Sequence, residues 1–169
     1  PLLAQHSATA NGSAQIVKPL IVTDVTELDY GNVIVPTATE GSGMVTLQRN
    51  ITNTGDDLLY NPSDMDPGVG NRDAGEDAGE PTDAPDPHTA DFHITGQAGL
   101  TFHVTLPGTI ALNGGAHVSP NVSPTSSVNG GTIPPSGSTD IYVGGVLNVT
   151  AGTALGEYEV PFTVTVNYD

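Results

Sequence analysis

The chain has 169 residues, and its 19 acidic residues against 3 Lys and Arg give a formal net charge of −16. So few cations cannot neutralise a phosphate backbone or an anionic lipid surface, which excludes nucleic acid and lipid head groups as partners. The absence of Cys excludes thiol catalysis, Cys-ligated zinc and disulfides, and no apolar run reaches the roughly 18 residues that a membrane-spanning helix needs.

The first residues carry a pattern typical of exported proteins. Leu2-Leu3-Ala4 followed by Ala8-Thr9-Ala10 looks like the end of a secretory signal with its small residues. We expect a signal peptide cleaved just before Pro1 and an extracellular mature protein. We expect one domain at 14–169, preceded by an N-terminal segment at 1–13. The even positions of residues 1–13 are Leu2, Ala4, His6, Ala8, Ala10 and Gly12.

Alternation of apolar and polar residues, rather than helical periodicity, continues through most of the chain. It is clear in residues 100–106, where Leu and Phe alternate with Thr and His before the turn at Pro107-Gly108. The Gly144-Gly145 pair predicts a bend where a strand changes sheet. Short strands bounded by Gly, Pro or Asn are typical of an all-β sandwich or barrel. The predicted strands are 15–24, 28–35, 43–51, 91–95, 100–106, 109–112, 116–122 and 139–150.

Residues 56–91 depart from this pattern. They contain eleven of the nineteen acids with five Pro and four Gly, and their net charge is −10. We expect a long surface excursion between two strands. Closely spaced acids in it, Asp64, Asp66 and Asp73, are candidate calcium ligands, although their spacing fails the EF-hand pattern and a solvated anionic loop is the alternative.

The last predicted strand has the most regular alternation in the sequence. Seven successive even positions are glycine or apolar, and the odd positions between them are mostly polar or charged. We expect this strand to have a free edge that needs a cover, since the sequence shows no following strand to pair with it. The even residues are Gly156, Tyr158, Val160, Phe162, Val164, Val166 and Tyr168.

These C-terminal residues resemble the terminal strand of chaperone–usher pilins, the subunits of bacterial surface fibres. The resemblance lies in the penultimate Tyr168, the Gly156 fourteenth from the end and the strict alternation between them. Further phrases are similar to uncharacterised exported pilin-like domains and to the common-pilus (Mat/ECP) subunit of the alternative-chaperone type. These phrases are Pro19-Leu20, Leu28-Asp29-Tyr30-Gly31, Tyr142-Val143-Gly144-Gly145 and the last strand. The lack of a disulfide fits the alternative branch, whereas the acidic excursion is not part of the pattern.

The resemblance implies an immunoglobulin-like sandwich that lacks its final strand and is completed by a donor strand from a neighbouring subunit. Leu2, Ala4, His6, Ala8, Ala10 and Gly12 would then be the donor row, and the even residues from Gly156 to Tyr168 would line the acceptor. The implied product is an extracellular homopolymeric filament with a role in adhesion or biofilm. Its assembly would use a periplasmic chaperone and an outer-membrane usher, with no cofactor.

Other interpretations stay open at this point. The terminal strand could belong to a complete sandwich, and residues 1–13 could be a frayed tail. A monomeric surface module that binds a carbohydrate or protein through calcium is the alternative function. We do not expect an enzyme, since Gly-x-Ser-x-Gly, a phosphate-binding glycine loop and His-Glu-x-x-His are all missing from the sequence. We expect His93 and His103 at the surface, and possible glycosylation acceptors are Asn11, Asn50, Asn121 and Asn148.

Overall fold

The computed structural model of the chain describes residues 8–49, 56–61, 72–74, 87–112, 116–123 and 130–169. Every regular element in these ranges is a β-strand, and none of them contains a helix, so the all-β prediction is confirmed. It follows that none of these ranges provides a helix able to cross a bilayer. The strands are β1 (Ile21–Thr26), β2 (Ser42–Arg49), β3 (Asp56–Asn61), β4 (Arg72–Ala74), β5 (Ala90–Thr95), β6 (Thr101–Thr105), β7 (Ile110–Ala111), β8 (His117–Ser123), β9 (Gly130–Thr132), β10 (Ser138–Thr150) and β11 (Thr165–Tyr168).

The strands form two antiparallel sheets with a sandwich-like arrangement. The larger sheet has eight strands around β10, and the smaller has the order β11-β6-β9. β5 and then β2 lie end to end along one side of β10, with β8 along the other. Beyond them, β1 pairs with β5, and β3 and β4 continue outward from β2. β1 in the larger sheet and β11 in the smaller are therefore edge strands.

Gly144 is the residue of β10 at which the partner changes from β5 to β2. A Cβ atom here would collide with the carbonyl oxygen of Leu47 in β2, so the close approach of the two backbones requires glycine. The expectation that β10 changes sheet at this point is wrong. It stays in one sheet and changes its neighbour instead.

Two clusters of buried apolar side chains form the core. The shared core takes residues from both sheets and consists of Ala90, Phe92, Ile94, Phe102, Val104, Ile133, Ile141 and Val143. The second cluster lies under the other half of the larger sheet and consists of Tyr30, Val45, Leu47, Leu58, Ala116, Val118, Leu147 and Val149. β10 contributes to both, because its inward positions continue in the same parity through Gly144.

Two predicted strands differ in the structure. The strand predicted at 28–35 forms only one isolated bridge, between Asp29 and His88. The Asp29 carboxylate accepts a hydrogen bond from the N–H of Gly31, which has a φ of 61°, so the chain turns here instead of extending. Its apolar side chains still pack on the core. The strand predicted at 15–24 begins only at Ile21, where pairing with β5 starts.

The predicted surface excursion at 56–91 is wrong at both ends. Asp56–Asn61 is β3, paired with β2, and Leu58 is fully buried. Arg72–Ala74 is β4, and Pro87, Thr89 and Ala90 are buried. Residues 62–71 and 75–86 lie outside the described residues.

Asp56 shows why an acid can lie inside this fold. Its carboxylate accepts hydrogen bonds from the backbone N–H of Thr89 at 2.6 Å and from the Thr89 hydroxyl at 3.0 and 3.1 Å. It also pairs with the Arg49 guanidinium at 3.3 Å, which lies 4.4 Å from the ring centroid of Tyr142. The charge is buried with its partners, and it joins the start of β3 to the segment before β5.

Candidate functional site

The C-terminal edge, defined here as residues 157–168, keeps its alternation in the folded chain. Every even side chain is half-buried and every odd one is exposed. Phe162, Val164, Val166 and Tyr168 pack against the shared core, and the Phe162 ring meets Phe92 edge to face at 6.3 Å between centroids. Tyr158 and Val160 belong to the same half-buried row, whereas Gly156 is exposed and precedes it.

Backbone pairing covers only the last part of this edge. β11 pairs with β6 from Thr165 to Tyr168. Residues 157–164 form no ladder, and no backbone–backbone hydrogen bond joins them to another described residue. β6 ends at Thr105 and is followed by Pro107, which has no N–H to donate, so β6 does not continue the sheet opposite Thr163 and Phe162. Residues 157–164 therefore have a half-buried even row, with Phe162 and Val164 on the core, while their main-chain groups have no strand partner in the described part of the chain.

β1 borders the same core from the larger sheet. Leu20, Val22 and Leu28 pack on the shared core, as the C-terminal edge does. Ile21 and Val25, in contrast, are more than half exposed. β1 pairs only with β5, so its outer backbone edge is open along the described residues. Two edge strands, one from each sheet, thus flank one side of one core.

Tyr168 ties the two edges together at one end. Its hydroxyl accepts a hydrogen bond from the backbone N–H of Gln97 at 2.7 Å and donates to the carbonyl oxygen of Lys18 at 3.1 Å. A Cβ on Gly96 would collide with this hydroxyl, so the small residue leaves room for it. Sequence reasoning placed Tyr168 in the acceptor row but missed the hydroxyl contacts, since no local pattern links positions 97, 18 and 168.

The N-terminal segment, residues 8–19 as far as the structure describes it, forms no regular element and is exposed throughout. Ala8, Ala10 and Gly12 of the predicted donor row lie here, and Leu2, Ala4 and His6 lie outside the described residues. Ile16 is 97% exposed and continues the same even row through Ala14. Sequence reasoning missed Ile16 because it ended the donor at residue 13 and assigned a strand from residue 15.

Two histidine–aspartate pairs lie near these edges, and their histidines are His103, which is exposed, and His93, which is partly exposed. His103 Nδ1 is 2.9 Å from Asp169 Oδ1, and His93 Nδ1 is 2.5 Å from Asp140 Oδ1. A hydrogen bond from Thr101, followed by that from His103, lowers the pKa of Asp169.

Asp91 lies beside Asp140 on the outer face of the larger sheet. Burial first, and then the Asp140 charge, raise the pKa of Asp91. Its Oδ1 atom is buried and has no hydrogen-bond partner. The charged form of this carboxyl is therefore disfavoured in the folded chain.

The candidate calcium ligands are not brought together by anything in the described part of the chain. Asp64 and Asp66 lie outside it, and of Asp73 only the backbone, in β4, is described. Among the described residues, no group of three His, Cys, Asp or Glu side chains is placed to hold a metal ion. The calcium hypothesis stays a prediction.

Comparison with known proteins identifies the family of the chain, for which no activity is given. A family model with the description "Domain of unknown function (DUF4402)" matches residues 20–168. The chain belongs to this family. No curated protein and no solved structure matches it. The DUF4402 match includes both edge strands and the C-terminal edge, and it begins at Leu20, just after the exposed N-terminal segment.

Proposed function

We propose that this DUF4402 protein is the structural subunit of an extracellular bacterial filament. Subunits join when the N-terminal segment of one chain pairs, as an added strand, with the C-terminal edge of another. The fold is then an immunoglobulin-like sandwich that a neighbouring copy completes. The observation that carries the proposal is the stretch 157–164, in which Phe162 and Val164 pack on the core while the backbone pairs with no strand among the described residues.

The energetics of strand addition favour such a contact. A strand laid along 157–164 satisfies several main-chain groups, each hydrogen bond adding about 0.5–1.5 kcal/mol. It also covers the half-buried row at about 25 cal/mol per Å² of apolar area. The N-terminal segment fits this role because residues 8–19, the part of it that the structure describes, pair with no strand. Assembly is non-covalent and uses no cofactor.

The subunit would have to be exported and kept from premature pairing before it assembles at the cell surface. Export through a cleaved signal peptide, a periplasmic chaperone that shields the open edge and an outer-membrane usher would deliver the subunit to the surface. An exposed edge of this kind otherwise pairs with wrong partners, which is the physical reason for a chaperone. Adhesion or biofilm formation is the role that such a filament would serve.

Electron microscopy and size-exclusion chromatography of the purified protein test this function. We expect filaments from the full chain and monomers from a variant that lacks residues 1–17. Asn11→Ser is the control, because it keeps the segment and removes one possible glycosylation acceptor, and it should still form filaments. Filaments of normal yield from the deletion variant would contradict strand donation by this segment.

A further inference from the structure

Ile16 makes almost no packing contact with the described residues of its own chain. It is 97% exposed, whereas a β-branched aliphatic side chain gains free energy from burial. It lies in the even row of the N-terminal segment with Ala8, Ala10, Gly12 and Ala14, and it is the large apolar member of the described part of that row. A row of small residues with one large side chain is suited to a close approach of backbones at one end and insertion of an anchor at the other.

Charge favours a second copy of this chain as the partner for this row. Residues 1–17 contain no Asp, Glu, Lys or Arg, in a protein of net charge −16. The C-terminal edge has its acids, Glu157 and Glu159, in the odd, exposed row and none in the half-buried row. An uncharged strand can lie along this edge without burying a charge. The contact therefore adds no repulsion to that between two acidic copies of the chain.

The N-terminal segment is also long enough to pair along the C-terminal edge of a second copy. The Lys18 carbonyl is held by Tyr168 in its own domain, so the free part of the segment ends at Val17. Residues 8–17, when extended, span about 33 Å, which is enough to cover the roughly 26 Å of residues 157–164. Ile16 lies two residues before Lys18, whose carbonyl is bound to its own domain. A copy that binds Ile16 would therefore lie close to that domain.

We propose that Ile16 is the principal anchor by which the N-terminal segment of one copy binds the C-terminal edge of another. Its side chain packs among the half-buried row, and the backbone of residues 8–17 pairs with the unpaired stretch 157–164. This deepens the proposed function, on which it rests, and moves the main hydrophobic contact from the predicted donor row at 1–13 to a residue beyond it.

The test uses the full chain with two adjacent substitutions that add the same charge. Ile16→Asp places a carboxylate in the even row, and Gln15→Asp places one in the odd row. We expect Gln15→Asp to assemble like the parent and Ile16→Asp to remain monomeric in size-exclusion chromatography. The monomeric variant keeps a free C-terminal edge, so it also serves as the acceptor in a binding experiment.

A synthetic peptide of residues 8–17 is titrated into the full-length Ile16→Asp protein, and backbone amides are followed by NMR. The expected result is new amide protection within 157–164. The peptide carrying Gln15→Asp should bind similarly, and the one carrying Ile16→Asp at least about tenfold more weakly, as expected for loss of one buried aliphatic side chain.

The outcomes separate this inference from the proposed function. Assembly of Ile16→Asp at the parental level overturns the anchor and leaves the filament function standing. Peptide protection of 157–164 without any assembly of the parent supports the anchor and contradicts the filament. If the peptide protects other residues, or if Gln15→Asp and Ile16→Asp lose assembly equally, the anchor assignment is wrong.

Discussion

The Tyr168 hydroxyl offers the sharpest test of how the two edges are held. Tyr168→Phe removes one oxygen atom and keeps the ring against the shared core. Two hydrogen bonds are lost, the one from the Gln97 N–H and the one to the Lys18 carbonyl. Both bonds join segments that are remote in sequence, so their loss should affect global stability as well as the local strand.

The magnitude follows from the surroundings of each bond. A hydrogen bond contributes about 0.5–1.5 kcal/mol to the free energy of unfolding, and an orphaned buried donor costs more than an exposed one. The Gln97 bond is partly buried and belongs at the upper end of this range, whereas the Lys18 bond is exposed and belongs at the lower end. We expect Tyr168→Phe to lower the free energy of unfolding by about 1–2 kcal/mol.

Tyr158→Phe is the matched control, since Tyr158 lies in the same row and its hydroxyl donates to the carbonyl of Ala154, which is near in sequence. Urea unfolding followed by far-UV circular dichroism, at a concentration where the chain is monomeric, should show a loss below about 0.5 kcal/mol for this variant. Amide exchange at Gln97 should accelerate in Tyr168→Phe and stay unchanged in the control. Equal losses in the two variants, or unchanged exchange at Gln97, would refute the reasoning.

Three further substitutions test the rest of the fold. Asp56→Ala leaves the Thr89 N–H and a guanidinium without their carboxylate and should cost about 3 kcal/mol in urea unfolding, and a loss under 1 kcal/mol would contradict the buried pair. Gly144→Ala places a methyl group against a carbonyl of β2 and should reduce thermal stability strongly, so an unchanged melting temperature would argue against the neighbour change in β10. Asp91→Asn should raise stability at neutral pH by about 0.2–1 kcal/mol. Because the pKa of Asp91 is raised in the folded state, protonation stabilises the parent, and the advantage of the variant should shrink as the pH falls through that pKa toward 3.8. A pH-independent difference would contradict the raised pKa.

The sequence predicted the positions of strands that have clear alternation and strong turn residues beside them. The run 100–106 was bounded by Pro107-Gly108, and β6 occupies 101–105. β10, predicted at 139–150, begins one residue earlier. In these segments alternation, flanking turns and packing agree, which is the condition under which local patterns suffice.

What the sequence could not predict depends on partners remote in the chain. Asp56 was interpreted as a surface acid, because its burial requires Thr89 and Arg49 to arrive from other elements. β4 and β9 are three residues each, too short for any alternation to be visible. In the C-terminal edge the predicted alternation coincides with a half-buried even row and an exposed odd row, but alternation does not reveal whether a neighbouring strand exists to pair with the backbone.

β6 and the C-terminal edge differ in how deeply their core-facing residues are buried. Both have alternating apolar residues that contact the same core, and β6 buries its inward residues almost completely, with Phe102 and Val104 at 3% and 4% exposure. The even residues of the adjacent C-terminal edge are only half-buried. β6 has a strand on either side, β11 and β9, whereas β11 has β6 as its single partner among the described strands. Incomplete burial on the unpaired side is what a missing neighbour produces, and a strand that supplies both backbone groups and an aliphatic anchor such as Ile16 would correct both deficits at once.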